Sequence, residues 1–168
     1  MDSLEFLHSI WEVQGEGFVV VSLRRGPLEW QDLAFKYGRD PIEIPDKGLG
    51  DVYFCPNLFE RPRRRKGLMR PSRWLYADLD QVDPLGIEAQ FGKVLHPSIA
   101  WESSPCRYQA MWLLDRALKE DEHQEINRAM TYQLEADKGG WDATQVLRLP
   151  GTINHKYSEE PEVKLLWT

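Results

Sequence analysis

Hydrophobic positions along the chain switch between helical and extended spacing, and the switches divide it into elements. Leu4, Leu7, Ile10 and Trp11 recur at helical intervals and predict a first helix over 4–11. Gly15-Glu16-Gly17 breaks it, and the β-branched, apolar run 18–23 reads as a buried strand. Residues 28–37 read as a second helix through Trp30, Leu33 and Phe35, followed by a loop over 40–50 punctuated by Pro41, Pro45 and Gly48. A short strand is expected over 51–55, a central strand over 74–80 and a short helix over 86–92. Segments 98–102 and 108–114 read as strands paired across a turn at Ser104-Pro105. The clearest helix spans 120–136, with Ile126, Met130 and Leu134 at helical spacing and Gly139-Gly140 as its stop. Strands over 145–149 and 162–167 close the chain. Strands paired across short turns with helices between them predict an α+β fold whose sheet is covered on one face.

The segment Trp74-Leu75-Tyr76-Ala77-Asp78-Leu79-Asp80 ends an apolar strand in two carboxylates. Side chains alternate along a strand, so Asp78 and Asp80 share a face, roughly 6.5–7 Å apart along the backbone. Like charges held together disfavour each other's ionised form unless a cation lies between them. Hard divalent ions, magnesium or manganese, take oxygen ligands of this kind. A strand running into an Asp-rich turn gives the same letters, and Asp83-Pro84 does mark a turn.

A chain of 168 residues, 42% hydrophobic and 29% charged, suits one soluble domain, and the expectation is a single domain over 1–168. It holds no apolar run long enough to cross a membrane as a helix, and its acidic start lacks a signal peptide's pattern. Cys55 and Cys106 form no Cys-x-x-Cys pair, which points to a reduced, cytoplasmic protein without structural zinc. The net charge of −6 argues weakly against non-specific nucleic-acid binding, but the distribution changes the picture. Between residues 61 and 73 stand Arg61, Arg63, Arg64, Arg65, Lys66, Arg70 and Arg73, seven basic residues in thirteen with no acidic one. Most such runs are solvated loops, yet this one leads into the strand carrying Asp78 and Asp80. A basic loop beside an acidic metal site is what a phosphate backbone approaching a metal requires.

Three further segments carry polar groups in unusual places. On the strand after Ser104, Arg107 and Gln109 share a face suited to phosphate oxygens, with Tyr108 opposed. Asp137 and Asp142 flank Gly139-Gly140, and either supplies the third carboxylate a two-metal site needs. Arg148 interrupts an apolar strand, a costly placement unless it is paired. The Pro150-Gly151 turn after it is followed by Thr152, Asn154, His155 and Lys156, donors that could cradle a triphosphate.

Together these residues make the sequence resemble the archaeo-eukaryotic primase superfamily, in particular its plasmid and phage primase-polymerase branch with the RepB-type primases. The family's apolar strand ending in Asp-x-Asp is matched by Asp78 and Asp80. Ser104-Pro105-Cys106-Arg107-Tyr108-Gln109 resembles the RepB form of the second motif, with Gln109 where His is usual in the superfamily. The segment Arg148-Leu149-Pro150-Gly151-Thr152-Ile153-Asn154-His155-Lys156 resembles the third motif and is the most specific part. The resemblance covers roughly residues 51–156.

It implies a catalytic core with an RRM-like antiparallel or mixed sheet, and a DNA primase or polymerase acting as a two-metal nucleotidyltransferase. Asp78, Asp80 and Asp142, with Asp137 as runner-up, would hold magnesium or manganese. Ser104, Arg107, Gln109, Arg148, Asn154, His155 and Lys156 would hold the nucleoside triphosphate, and the basic loop a single-stranded DNA template. The branch implies a phage- or plasmid-encoded protein of a bacterial cytoplasm. It also implies an N-terminal domain followed by a helicase or an accessory helical domain. Competing readings are a non-catalytic replication initiator that binds DNA, a glycosyltransferase and a metal-dependent nuclease. The nuclease would recruit His96 or His155 as its base.

Overall fold

A computed structural model describes residues 1–168, the side chain of Val94 excepted. Three α-helices and eight strands follow in the order α1 (Ser3–Trp11), β1 (Phe18–Arg24), β2 (Trp30–Lys36), β3 (Asp51–Phe54), β4 (Ser72–Leu79), α2 (Pro84–Phe91), β5 (Ile99–Ser104), β6 (Arg107–Leu118), α3 (Glu120–Gln133), β7 (Leu147–Arg148) and β8 (Lys164–Trp167). The strands form two antiparallel sheets, β2-β1-β3-β7 and β4-β6-β5-β8.

The fold class is α+β with antiparallel sheets, but there are two sheets where the pattern suggested one. The largest core lies between them and is wedged open by α1, whose Phe6, Leu7, Ile10 and Trp11 meet Val21, Phe54, Trp74 and Trp101. A capping box starts that helix. Asp2 accepts from the amides of Leu4 and Glu5 at 2.9 and 2.8 Å, while Glu5 accepts from the Asp2 amide at 2.8 Å. A second core, around Leu75, Ala77, Ile87, Trp112 and Met130, packs α2 and α3 on the other face of the second sheet. That sheet is therefore covered on both faces.

The expected helix over 28–37 is strand β2, paired residue for residue with β1. Leu33, Phe35 and Tyr37 recur at a period of two, with Asp32, Ala34 and Lys36 on the opposite face, and the Gly26-Pro27 turn folds the segment back on β1. Helix α3 ends at Gln133, not at the glycines, because Glu135 turns into the left-handed region at φ 54°. Ile126 lies exposed, and the buried stripe of α3 is His123, Asn127, Met130 and Thr131.

The polar half of that stripe has a purpose. Strand β4 pairs only with β6 and is an edge strand, not a central one. An open edge presents unpaired backbone groups, and α3 and the loop after it close this one. The His123 ring bonds the Trp74 carbonyl at 2.8 Å, Asn127 accepts from the Tyr76 amide at 2.9 Å, and the Asp137 amide donates to the Asp78 carbonyl at 2.9 Å. Burial lowers the His123 pKa, keeping the imidazole neutral there. Closing this edge brings the 137–144 loop against the carboxylate-bearing end of β4.

Candidate active site

The two carboxylates of β4 face the two polar residues that open β6. Register pairs Asp78 with Gln109 and Leu79 with Tyr108, and just past the end of β4 the Asp80 side chain meets that of Arg107. Gln109 Nε2 donates to Asp78 Oδ2 at 3.3 Å, and Arg107 Nη1 donates to Asp80 Oδ1 at 2.7 Å. The shared face expected for Arg107 and Gln109 is present, and Tyr108 packs on the opposite side with the second core.

Gln109 is nearly fully buried and spans the two sheets. Its Oε1 accepts from the indole of Trp101 at 3.0 Å and from the Arg148 amide at 2.9 Å. With its oxygen so occupied, its amide nitrogen has only Asp78 to serve. The residue expected to grip phosphate is here a clamp that aims one carboxylate.

Arg148 is likewise held by the protein. Its guanidinium forms a buried pair with Asp51, at 2.8 Å and 3.4 Å, and lies 4.9 Å from the centre of the Tyr53 ring. Asp51 also accepts from the His155 amide at 2.7 Å. Both side chains are about nine-tenths buried, with 9% and 10% of their surface exposed. The pair ties β3 to β7, and one face of Arg148 borders the cleft.

The cleft, about 320 Å³, is lined by Asp78, Asp80, Ser104, Arg107, Gln109, Arg148, Asn154 and Lys156 from the expected set. Its wall also includes Arg24, Trp30, Tyr53 and Tyr157, which sequence reasoning missed. Trp30 and Tyr53 lie 5.1 Å apart, ring centre to ring centre. Both alternate out of strands whose other faces are core; Trp30 needed β2 to be assigned as a strand, while Tyr53 stands between Val52 and Phe54 in the strand already expected over 51–55. His155 does not line the cleft. Its ring nitrogens bond Glu160 at 3.0 Å and the Lys47 carbonyl at 2.7 Å, on the outside of the turn. Asn154 is buried and donates to the Ser103 carbonyl at 2.7 Å, so its role is to hold the β5–β6 hairpin to the turn.

The expected trio of Asp78, Asp80 and Asp142 is not gathered. Asp142 caps its own turn, accepting from the Thr144 amide at 2.8 Å and hydroxyl at 2.7 Å, with Lys66 Nζ at 3.6 Å. Among the described residues no three His, Cys, Asp or Glu side chains form a ready metal cluster. Asp137, whose amide bonds the Asp78 carbonyl, is the acid whose charge reaches Asp78. Burial pushes the Asp78 carboxyl up to about 6, with Asp80 and Asp137 adding to the rise and the Gln109 hydrogen bond opposing it. A half-buried carboxylate crowded by like charge and met by one neutral donor fits a hard divalent cation, which would relieve both burdens.

The basic loop is an ordered arm. Glu120, at the start of α3, accepts from the amides of Gly67 and Met69 at 2.7 and 3.1 Å. Arg64 is spent internally, donating to the Thr144 carbonyl and to Asp32, and stacking near Trp30 at 5.7 Å. Arg73 donates to the Leu114 carbonyl at 2.9 Å. Arg61, Arg63, Arg65, Lys66 and Arg70 stay exposed. Neither candidate base of a nuclease reaches the cleft, since His96 stacks on Trp167 and lies 3.5 Å from Glu88.

Three solved structures share this architecture. One is the catalytic domain of the primase RepB′ in complex with initiator DNA, at TM-score 0.69 and 18% identity, covering 99% of this chain and 85% of that one. A second structure of primase RepB′ gives TM-score 0.67 and 18% identity over 98% of this chain and 56% of that chain. The AEP domain of the cyanophage S-2L primase-polymerase gives TM-score 0.71 and 10% identity over 98% and 88%. No curated protein matches the sequence. The fold is that of an archaeo-eukaryotic primase domain. Residues 56–167 match the family model of the RepB DNA-primase N-terminal domain, more than half of the chain, and the protein belongs to that family.

Proposed function

We propose that this protein is a metal-dependent nucleotidyltransferase that makes or extends primers on single-stranded DNA, in replication of a phage or plasmid. The observation that carries the reading is the Asp78–Asp80 pair at the mouth of a cleft otherwise lined by Arg24, Arg107, Arg148 and Lys156. Acid on one wall and cations on the other suit a triphosphate whose reacting end must lie against metal.

Asp78 and Asp80 hold the divalent ions, magnesium or manganese, with Asp137 the better placed third carboxylate. When bound, such ions neutralise the triphosphate and favour deprotonation of the attacking 3′-hydroxyl. The chain's own residues do the rest. Gln109 fixes the Asp78 carboxylate by its single hydrogen bond. Arg107, paired with Asp80 in a half-exposed contact that is easily exchanged, would be free to turn to the phosphates where Asp80 holds a metal. Lys156 and the cleft face of Arg148 supply fixed positive charge. Trp30 and Tyr53 offer flat surface to a base. The exposed cations of the arm take the template's phosphates, as a protein of this fold takes initiator DNA.

Labelled-nucleotide incorporation on single-stranded DNA tests the reading, with and without a primer and with manganese or magnesium. Metal-dependent product, lost in Asp78→Ala/Asp80→Ala, is the expected result, and product without primer makes the protein a primase. DNA binding with no product under any condition would move the reading to a replication initiator.

A further inference from the structure

A second surface, outside the cleft, combines rings and unpaired cations. Gln124, Arg128 and Tyr132 form one stripe of α3, and Trp141 folds back over it to bound a cleft of about 410 Å³. That size lies within the usual ~300–1,000 Å³ of ligand pockets. The Arg128 guanidinium sits 5.2 Å from the Trp141 ring centre and 5.7 Å from that of Tyr132, with Lys138 Nζ 5.2 Å from Tyr132. Among the described residues neither Arg128 nor Lys138 forms a salt bridge. Glu125 contributes one carboxylate to the lining.

Trp141 differs from the other six tryptophans, each of which donates its indole N–H to a fixed acceptor. It makes no such bond among the described residues, and its ring lies against the Arg128 guanidinium instead. The backbone beneath it is firmly placed. Asn127 donates to the Trp141 carbonyl at 3.1 Å and Gln124 accepts from the Ala143 amide at 3.1 Å. A Cβ on Gly140, the residue before it, would stand in ordinary contact with the Cβ of Asp78 at 3.8 Å. The residue after it, Asp142, faces Lys66 of the basic arm.

We infer that Trp141, Tyr132 and Arg128, with Lys138, form a stacking site for unpaired nucleobases of the single-stranded template, on the outer side of the loop that walls the catalytic carboxylates. Flat rings interleaved with free cations match a strand of bases on a phosphate backbone. The arm, the 137–144 loop and α3 then make one continuous track past Asp78. The inference rests on the proposed function and names where the template runs.

Anisotropy of a fluorescein-labelled single-stranded oligodeoxythymidine tests it, with template and nucleotide KM measured beside it. Tyr132 is half exposed, so Tyr132→Ala leaves the fold intact, and it weakens binding about tenfold. Arg128→Gln/Lys138→Gln lowers the slope of log affinity against log salt by about 1.4. The loss falls on template KM and not on nucleotide KM. A wild-type protein that incorporates nucleotides, with variants that bind the oligonucleotide as it does, overturns this inference alone and leaves the patch to another partner. A wild-type protein that neither binds the oligonucleotide nor makes product overturns the proposed function with it.

Discussion

Two acidic residues, Asp51 and Asp78, are withdrawn from water within the same cleft region, and the protein treats them oppositely. Asp51 receives a two-pronged guanidinium from Arg148 and the amide of His155, so its charge is answered from within. Asp78 receives one long amide contact from Gln109 and the repulsion of Asp80 and Asp137. Folding has completed the first carboxylate and left the second short of positive charge. The contrast separates an ion pair that joins two strands from the group that we propose takes a cation from outside.

Breaking the completed pair has the largest expected cost. Arg148→Met leaves Asp51 buried and uncompensated, and denaturant unfolding should show a loss of about 3–5 kcal/mol. Adding Asp51→Asn to that variant should recover most of it. The opposite change at the other carboxylate should stabilise. The folded Asp78 titrates near 6 against an ordinary 3.8, so below 3.8 both states are protonated and the residue costs nothing. Between the two values the unfolded chain gives up its proton first, and stability falls as pH rises; above 6 the deficit is complete. Asp78→Asn should therefore raise stability by up to about 3 kcal/mol at pH 7.5 in the presence of chelator. The gain should fade as pH is lowered through that window.

Much of this contrast was legible beforehand, and the reason is periodicity. Asp78 with Asp80, and Arg107 with Gln109, are placed by the two-residue repeat of a strand, which needs no tertiary knowledge. The partner of Arg148 was not legible, because Asp51 lies at the head of another strand and the two meet only when β3 and β7 pair. The choice between Asp137 and Asp142 was hidden for a related reason. Asp142 is nearer in sequence to the strand carrying Arg148, but closure of the β4 edge by α3 delivers Asp137 to Asp78 instead. The segment 28–37 reads as a helix because Trp30 and Leu33 stand three apart, whereas only Leu33, Phe35 and Tyr37 keep the strand's spacing of two, and its aromatic contribution to the cleft goes unseen with it.

The choice of third carboxylate sharpens the comparison further. Asp137→Asn removes a like charge beside Asp78 and a candidate ligand, and should cut metal-dependent incorporation roughly a hundredfold. Asp142→Asn disturbs the cap on Thr144 and the loose pair with Lys66, and should cost about 1 kcal/mol of stability with incorporation nearly unchanged. The smallest effect belongs to the exposed pair. Arg107→Ala should leave stability within about 1 kcal/mol of wild type, while nucleotide KM rises.

The most direct measurement is manganese binding by titration calorimetry at pH 7.5, comparing wild type with Asp78→Asn. The account predicts that wild type binds manganese, and that Asp78→Asn abolishes the binding. Equal binding by both proteins, or none by either, would contradict the claim that Asp78 is the carboxylate the fold leaves for a metal.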